Sequence, residues 1–164
     1  KDMAINKRRN VALGLGFGYS TNSFNHNLYI SKSSNGVINY NILEDSDTYT
    51  KNKFSMHMLE VPFEFRWRTS EATTYKFWRI YTGIKWGYLI ANSTKYKGDL
   101  GNAKFNKVKD FNPLQYGLTL SIGYNTWNLH LYYALNPIFS KEAILEGNNI
   151  DAKAVKLGLM FYIL

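Results

Sequence analysis

Leu114-Gln115-Tyr116-Gly117-Leu118-Thr119-Leu120-Ser121-Ile122-Gly123-Tyr124 alternates without a break. In an extended chain Leu114, Tyr116, Leu118, Leu120, Ile122 and Tyr124 share one face, and Gln115, Gly117, Thr119, Ser121 and Gly123 share the other. A period of two is the period of a β-strand, because successive side chains point to opposite sides. The chemistry of the two faces is as informative as the period. A water-facing strand surface normally carries Lys, Glu, Thr or Ser, and glycine weakens a strand interior. Here one face is unbroken hydrocarbon and aromatic ring, and the other is small.

The pattern recurs on both sides of this stretch. Val11, Leu13, Leu15, Phe17 and Tyr19 oppose Ala12, Gly14, Gly16, Gly18 and Ser20. Leu59, Val61, Phe63, Phe65 and Trp67 oppose Glu60, Pro62, Glu64, Arg66 and Arg68. Trp78, Ile80, Thr82, Ile84, Trp86, Tyr88 and Ile90 oppose Arg79, Tyr81, Gly83, Lys85, Gly87 and Leu89. Trp127, Leu129, Leu131, Tyr133 and Leu135 oppose Asn128, His130, Tyr132 and Ala134, and Val155, Leu157, Leu159, Phe161 and Ile163 oppose Lys156, Gly158, Met160 and Tyr162. Two weaker segments, about 24–31 and 36–43, bring the expected strand count to eight. The chain reads as all-β.

Composition narrows the class. With 164 residues there is room for one domain. Aromatics make up 16% of the chain, too many large apolar groups for disorder. Cysteine is absent, which excludes disulfides, thiolate metal sites and a cysteine nucleophile. No apolar run approaches the roughly 18 residues of a membrane-spanning helix. Lys1–Asn10 lacks the apolar centre of a signal peptide, so any export signal is expected to have been removed or never present.

A lipocalin-like barrel or a β-sandwich would put the apolar face inside. Glycine at positions 14, 16, 18, 83, 87, 117, 123 and 158 instead suits a narrow interior crowded by a few long side chains. Tyr19, Trp67, Trp78, Tyr88, Tyr124, Trp127 and Tyr133 gather towards strand ends, as in the aromatic girdles of a membrane barrel. The expected fold is a transmembrane antiparallel up-and-down β-barrel of eight strands over residues 10–164, preceded by a basic periplasmic N-terminal arm over 1–9. Expected short connections are Lys32–Asn35, Thr69–Lys76 and Asn125–Thr126; expected long ones are Glu44–Lys53, Asn92–Asn112 and Pro137–Ala152. Alternation of short periplasmic turns with long outside loops places the N-terminus in the periplasm of a Gram-negative cell. The first outside loop, Thr21–Ser23, breaks the rule by being short. In a spanning strand over 24–31, His26, Leu28 and Ile30 would face lipid. Otherwise the segment belongs to the rim of an outside hairpin, or one or more strands lie upstream of Lys1.

The string Leu59-Glu60-Val61-Pro62-Phe63-Glu64-Phe65-Arg66, followed by Tyr81-Thr82-Gly83-Ile84-Lys85-Trp86-Gly87, resembles the PorT-like outer-membrane β-barrel family of Bacteroidota. Tyr116–Leu120, Leu129–Tyr133 and Leu157–Tyr162 are similar to that family's last three strands, so the resemblance covers about 59–164. It implies an outer-membrane location and, for some members, a part in protein secretion or surface assembly. It carries no catalytic motif across.

The charged residues lead to three expectations. Glu60, Glu64, Arg66, Arg68, Arg79 and Lys85 all fall on the interior phase of one hairpin, with Glu60 facing Lys85 and Glu64 near Arg66 and Arg79. Eight strands enclose a space that side chains fill, so these charges read as a paired plug rather than a gate or ion path. Lys95, Lys97, Lys104, Lys107 and Lys109 lie in an expected outside loop, where they would meet lipopolysaccharide phosphates or a protein partner. Basic residues confined to loops between apolar strands do not point to nucleic acid. Ser55 and His57 share the outward phase and His130 points inward, yet no orienting carboxylate or oxyanion hole accompanies them, so no enzyme is expected. Three scattered histidines suggest no metal site, and no cofactor is expected. The favoured function is a non-enzymatic barrel acting as accessory subunit or anchor of a secretion or outer-membrane protein assembly complex. The alternative is a small surface-binding or lipid-modifying barrel that acts through its outside loops.

Overall fold

The structure, a computed structural model, describes residues 1–33, 35–44, 46–69 and 77–161. The strands are β1 (Asp2–Ala4), β2 (Val11–Leu15), β3 (Gly18–Asn25), β4 (Leu28–Lys32), β5 (Ile38–Ile42), β6 (Tyr49–Arg68), β7 (Trp78–Gly98), β8 (Gly101–Asn106), β9 (Leu114–Tyr124), β10 (Trp127–Ala134), β11 (Ile144–Leu145), β12 (Asn148–Asn149) and β13 (Val155–Met160). The described residues contain no helix. One antiparallel sheet runs β1-β2-β6-β7-β9-β10-β13, with β3 also on β6 and β8 also on β7. The expected turn over 69–76 and the terminal Tyr162 and Ile163 fall largely outside the described residues.

The two faces divide as the sequence pattern demands. Along β9, Leu118 is 48% exposed, while Thr119 and Ser121 on the other side are buried. Trp67, Phe65, Trp86, Tyr88, Leu129, Leu157 and Leu159 are likewise exposed on the outer surface. Small residues on the inner face make room for large neighbours. A Cβ on Gly14 would stand 2.5 Å from Arg66 Nε, and one on Gly117 would stand 2.7 Å from the Tyr132 ring. This arrangement is the inverse of a soluble sheet, in which the apolar face is the buried one.

Three expectations are corrected. First, 24–31 and 36–43 do not supply two strands of the main sheet: β4 pairs only with β5, as a separate hairpin. Leu28 and Ile30, expected on a lipid face, are buried in the core beneath that hairpin. Thr21–Ser23, expected as a loop, is the middle of β3. Second, much of the expected loops is strand. β6 begins at Tyr49, β7 continues to Gly98, and β8 returns beside it. Period-two hydrophobicity cannot reveal this extension, because a β-bulge resets the phase. Met58 pairs with Leu89 but His57 pairs with Ala91, so Ile90 is the additional residue. Before it, even-numbered residues of β7 face outward; beyond it, Lys95 and Lys97 do, while Thr94 and Tyr96 are buried. Third, residues 1–9 are not wholly an arm, since Asp2–Ala4 pairs with Ala12–Gly14 of β2.

Candidate functional site

The enclosed side of the sheet has two chemically distinct halves, divided on β6 between Met58 and Glu60. Towards the long-loop end, Phe54, Met56 and Met58 point inward and meet Leu28, Ile30, Tyr40, Val108, Phe111, Tyr132, Ala134, Ile138, Phe139 and Ala143 in one apolar core. Its centre is aromatic: Phe111 stacks on Phe139 at 4.9 Å, and Phe54 approaches both, at 5.2 and 5.6 Å. Side-chain amides tie the loops to this core. Asn52 Nδ2 donates to the carbonyls of His26 and Leu28, Asn92 exchanges two hydrogen bonds with the Val108 backbone, and Asn112 Nδ2 donates to the carbonyls of Pro137 and Phe139. The Tyr40 hydroxyl donates to Asp110 at 2.7 Å, which closes the β4–β5 hairpin over the core. Burial pushes the imidazole of His26, at the base of this hairpin, down to about 4, and its Nδ1 accepts the Leu28 N–H.

Towards the short-turn end the interior is charged. Lys85 Nζ lies 2.9 Å from Glu60 Oε2. The two are diagonal, not opposite: Glu60 pairs with Gly87 and Lys85 with Pro62, a two-residue offset from the expected register. Ser20 Oγ donates to the other Glu60 oxygen at 2.8 Å. Arg66 donates to Glu64 Oε2 through Nε at 2.9 Å and Nη2 at 2.7 Å. The offset places Arg79 opposite Arg68, and Arg79 donates to the Asn125 carbonyl at 2.6 Å. Arg66 and Arg68 also reach Asp2, the second of them at 3.1 Å.

Sequence reasoning along one hairpin missed the partners that arrive from elsewhere. Lys85 and Lys156 lie 4.8 and 4.9 Å above the Tyr132 ring, and Lys156 Nζ donates to Asn22 Oδ1 at 2.8 Å. Ser20, Glu60, Lys85, Tyr132, Lys156 and Asn22 thus form a chain of contacts across the enclosed side, from β3 through β6, β7 and β10 to β13. The only signal for it was that Lys156 and Tyr132 share the interior phase.

The histidines and serines weighed for chemistry are engaged with neighbouring groups, Ser121 and His130 on the inner face and Ser55 and His57 on the outward face. His130 Nδ1 lies 2.7 Å from Ser121 Oγ, and Ser121 is 1% exposed. Ser55 Oγ donates to Ser23 at 3.2 Å, while His57 Nδ1 is engaged by the Tyr19 and Thr21 hydroxyls. Lys95, Lys97 and Lys104 stand on strands β7 and β8 rather than in a loop. Lys107 and Lys109 lie past β8, where the chain bends at Lys107 (φ 57°) and Val108 enters the core.

Among protein families, the model described as "Outer membrane protein beta-barrel domain" matches residues 2–140. In comparisons with curated proteins and with solved structures, nothing matches.

Proposed function

We propose that this chain, which belongs to the outer membrane protein beta-barrel domain family, is a sealed, non-enzymatic barrel that anchors or assists a secretion or outer-membrane protein assembly complex. The observation that carries the reading is the filled interior. An aromatic core occupies the long-loop half, and paired charges occupy the short-turn half. On this reading the interior serves the structure, and the surfaces remain for work. The PorT-like resemblance of 59–164 supports the same direction.

On this reading the barrel closes at eight strands. Each pairing along β1-β2-β6-β7-β9-β10-β13 is antiparallel, so β1 and β13 run the same way. A bacterial outer-membrane barrel takes an even number of antiparallel strands, and eight is the smallest such number. Eight strands also suit the contents, because that size leaves space for side chains alone. The long-loop end faces outside and the N-terminus the periplasm, in keeping with short periplasmic turns. Lipid, lipopolysaccharide and complex-forming proteins are the expected partners.

Mild detergent extraction followed by affinity purification of the tagged protein tests this reading. Defined protein partners retained at constant stoichiometry are expected. A monomer that carries only lipid would overturn the anchor reading in favour of a surface-binding or lipid-modifying barrel.

A further inference from the structure

Beyond the bulge at Ile90, β6 and β7 continue past the apolar belt as a ribbon widened by β8 and flanked by β3. Its outward face is ordered in rows, which the pairing registers define. Nearest the belt, Tyr19, Leu59 and Tyr88 stand side by side. The next row is Thr21, His57 and Ala91, followed by the row of Ser23, Ser55, Ser93 and Asn106. Above it come Asn25, Lys53, Lys95 and Lys104, and then Lys51, Lys97 and Asn102. The face passes from aromatic and aliphatic, through hydroxyl and amide, to lysine.

The lysine rows are electrostatically costly by themselves. Lys51 is directly opposite Lys97, and Lys95 lies between Lys53 and Lys104. Like charges in directly paired positions destabilise a sheet. The rows contain no carboxylate, and none of the five lysines forms an ion pair among the described residues. Asp99 at the ribbon tip is occupied by the Thr48 and Leu100 backbone N–H groups. Among the described residues no carboxylate neutralises them, and their position says what would. Six residues separate Leu59 from Lys53, about 20 Å along the strand and about 15 Å above the belt once a tilt near 40° is allowed for. The lysines are on the same side of the sheet as the lipid-facing belt, so what they meet first is the headgroup of a lipid already packed against it.

We infer that Lys51, Lys53, Lys95, Lys97 and Lys104 form a binding face for a phosphorylated glycolipid of the surrounding leaflet. Its acyl chains lie along the belt around Leu59 and Tyr88. Its sugar hydroxyls meet the Ser55 and Ser93 row, and its phosphates meet the lysines. This rests on the reading above that the long-loop end faces outside, where lipopolysaccharide is the phosphorylated glycolipid. Lys107 and Lys109 are not part of the face.

The test uses the whole protein expressed in a Gram-negative outer membrane, extracted in mild detergent, with co-purifying lipopolysaccharide measured by mass spectrometry. A variant with all five lysines changed to Gln should retain at least tenfold less lipopolysaccharide. The same five changed to Arg, which keep the charge, should retain it, as should Lys107→Gln/Lys109→Gln. In vesicles that contain purified lipopolysaccharide, phosphatase treatment of the glycolipid should abolish the difference between wild type and the Gln variant. Equal retention by the Gln variant, at unchanged heat-modifiable gel migration, would overturn the inference alone. Protease access to the ribbon from the periplasm but not from the cell surface would overturn it together with the orientation it rests on. Tighter binding of a soluble polyanion such as polyphosphate than of lipopolysaccharide would also overturn it, by making the partner soluble.

Discussion

Glu60 carries more of the interior than its neighbours, because it is the only carboxylate in the contact chain that includes Lys85 and Lys156. Its side chain is 15% exposed and that of Lys85 is 17% exposed, so the pair is largely removed from water. Glu60→Leu would leave Lys85 half-buried without its counterion and Ser20 without its acceptor. Breaking a buried pair from one side costs about 3–5 kcal/mol, and partial exposure places this site at the lower end. The expected outcome is a lowered midpoint for heat modification on a gel, with much of the loss restored in Glu60→Leu/Lys85→Met. A single variant as stable as wild type would show that the charges do not hold the interior together. That such residues would pair was legible from their shared phase on one hairpin. Which atoms meet was not, because alternation fixes the face of each residue and leaves the pairing register between two strands open. Asn22 on β3 and Asp2 on β1 come within reach through pairings with β6 and β2 that alternation does not specify, and Lys156 on β13, at the far end of the strand order, meets Asn22 across the sheet.

At the level of elements, the sheet strands were legible wherever lipid contact keeps the hydrophobic period intact, as in β9 and β10. Legibility ended where the environment changed. Past Ile90 the outward face carries Ser and Lys and the inward face carries Asn, Thr and Tyr, so neither face shows a continuous apolar signal. The β4–β5 hairpin alternates as a spanning strand would, with Leu28, Ile30 and Tyr40 on its apolar side, yet this side is satisfied by the core under the loops. The bulge makes a prediction at this scale. Deleting Ile90 would close the bulge and join Leu89 to Ala91 with Lys95 and Lys97 still outward, whereas inserting one Ala after Ala91, with no counterpart in β6, turns Lys95 and Lys97 towards the buried side and Thr94 and Tyr96 outward. The ribbon of the insertion variant should then detach from the core while the belt strands persist. Trypsin should cleave rapidly between Lys95 and Lys109 in the insertion variant and slowly in wild type and in the Ile90 deletion. Equal resistance of the insertion variant and wild type would show that the ribbon does not depend on this phase.

For the molecule as a whole, the inverted faces specify the solvent before any partner is considered. Apolar side chains outward and small or charged ones inward require hydrocarbon around the sheet, and the family assignment identifies that hydrocarbon as the outer membrane. Orientation across it is a separate matter, and the lack of cysteine makes it directly testable. Leu100 is at the tip between β7 and β8, and Lys7 is in the turn between β1 and β2, at the opposite end of the sheet. Both are exposed, so a cysteine at either position meets a water-soluble reagent with similar ease. Only the membrane distinguishes them. With a bulky, impermeant thiol reagent on intact cells, Leu100→Cys should label and Lys7→Cys should not. Permeabilising the outer membrane should bring Lys7→Cys to the same level. The reverse pattern would invert the barrel and place the five-lysine face against the inner leaflet. Labelling of both on intact cells would remove the membrane from between them and, with it, the explanation for why this chain wears its hydrophobic residues outside. A partner seated on the β7–β8 tip would shield Leu100→Cys, and detergent-solubilised protein distinguishes that case, since labelling there returns once the partner is stripped away.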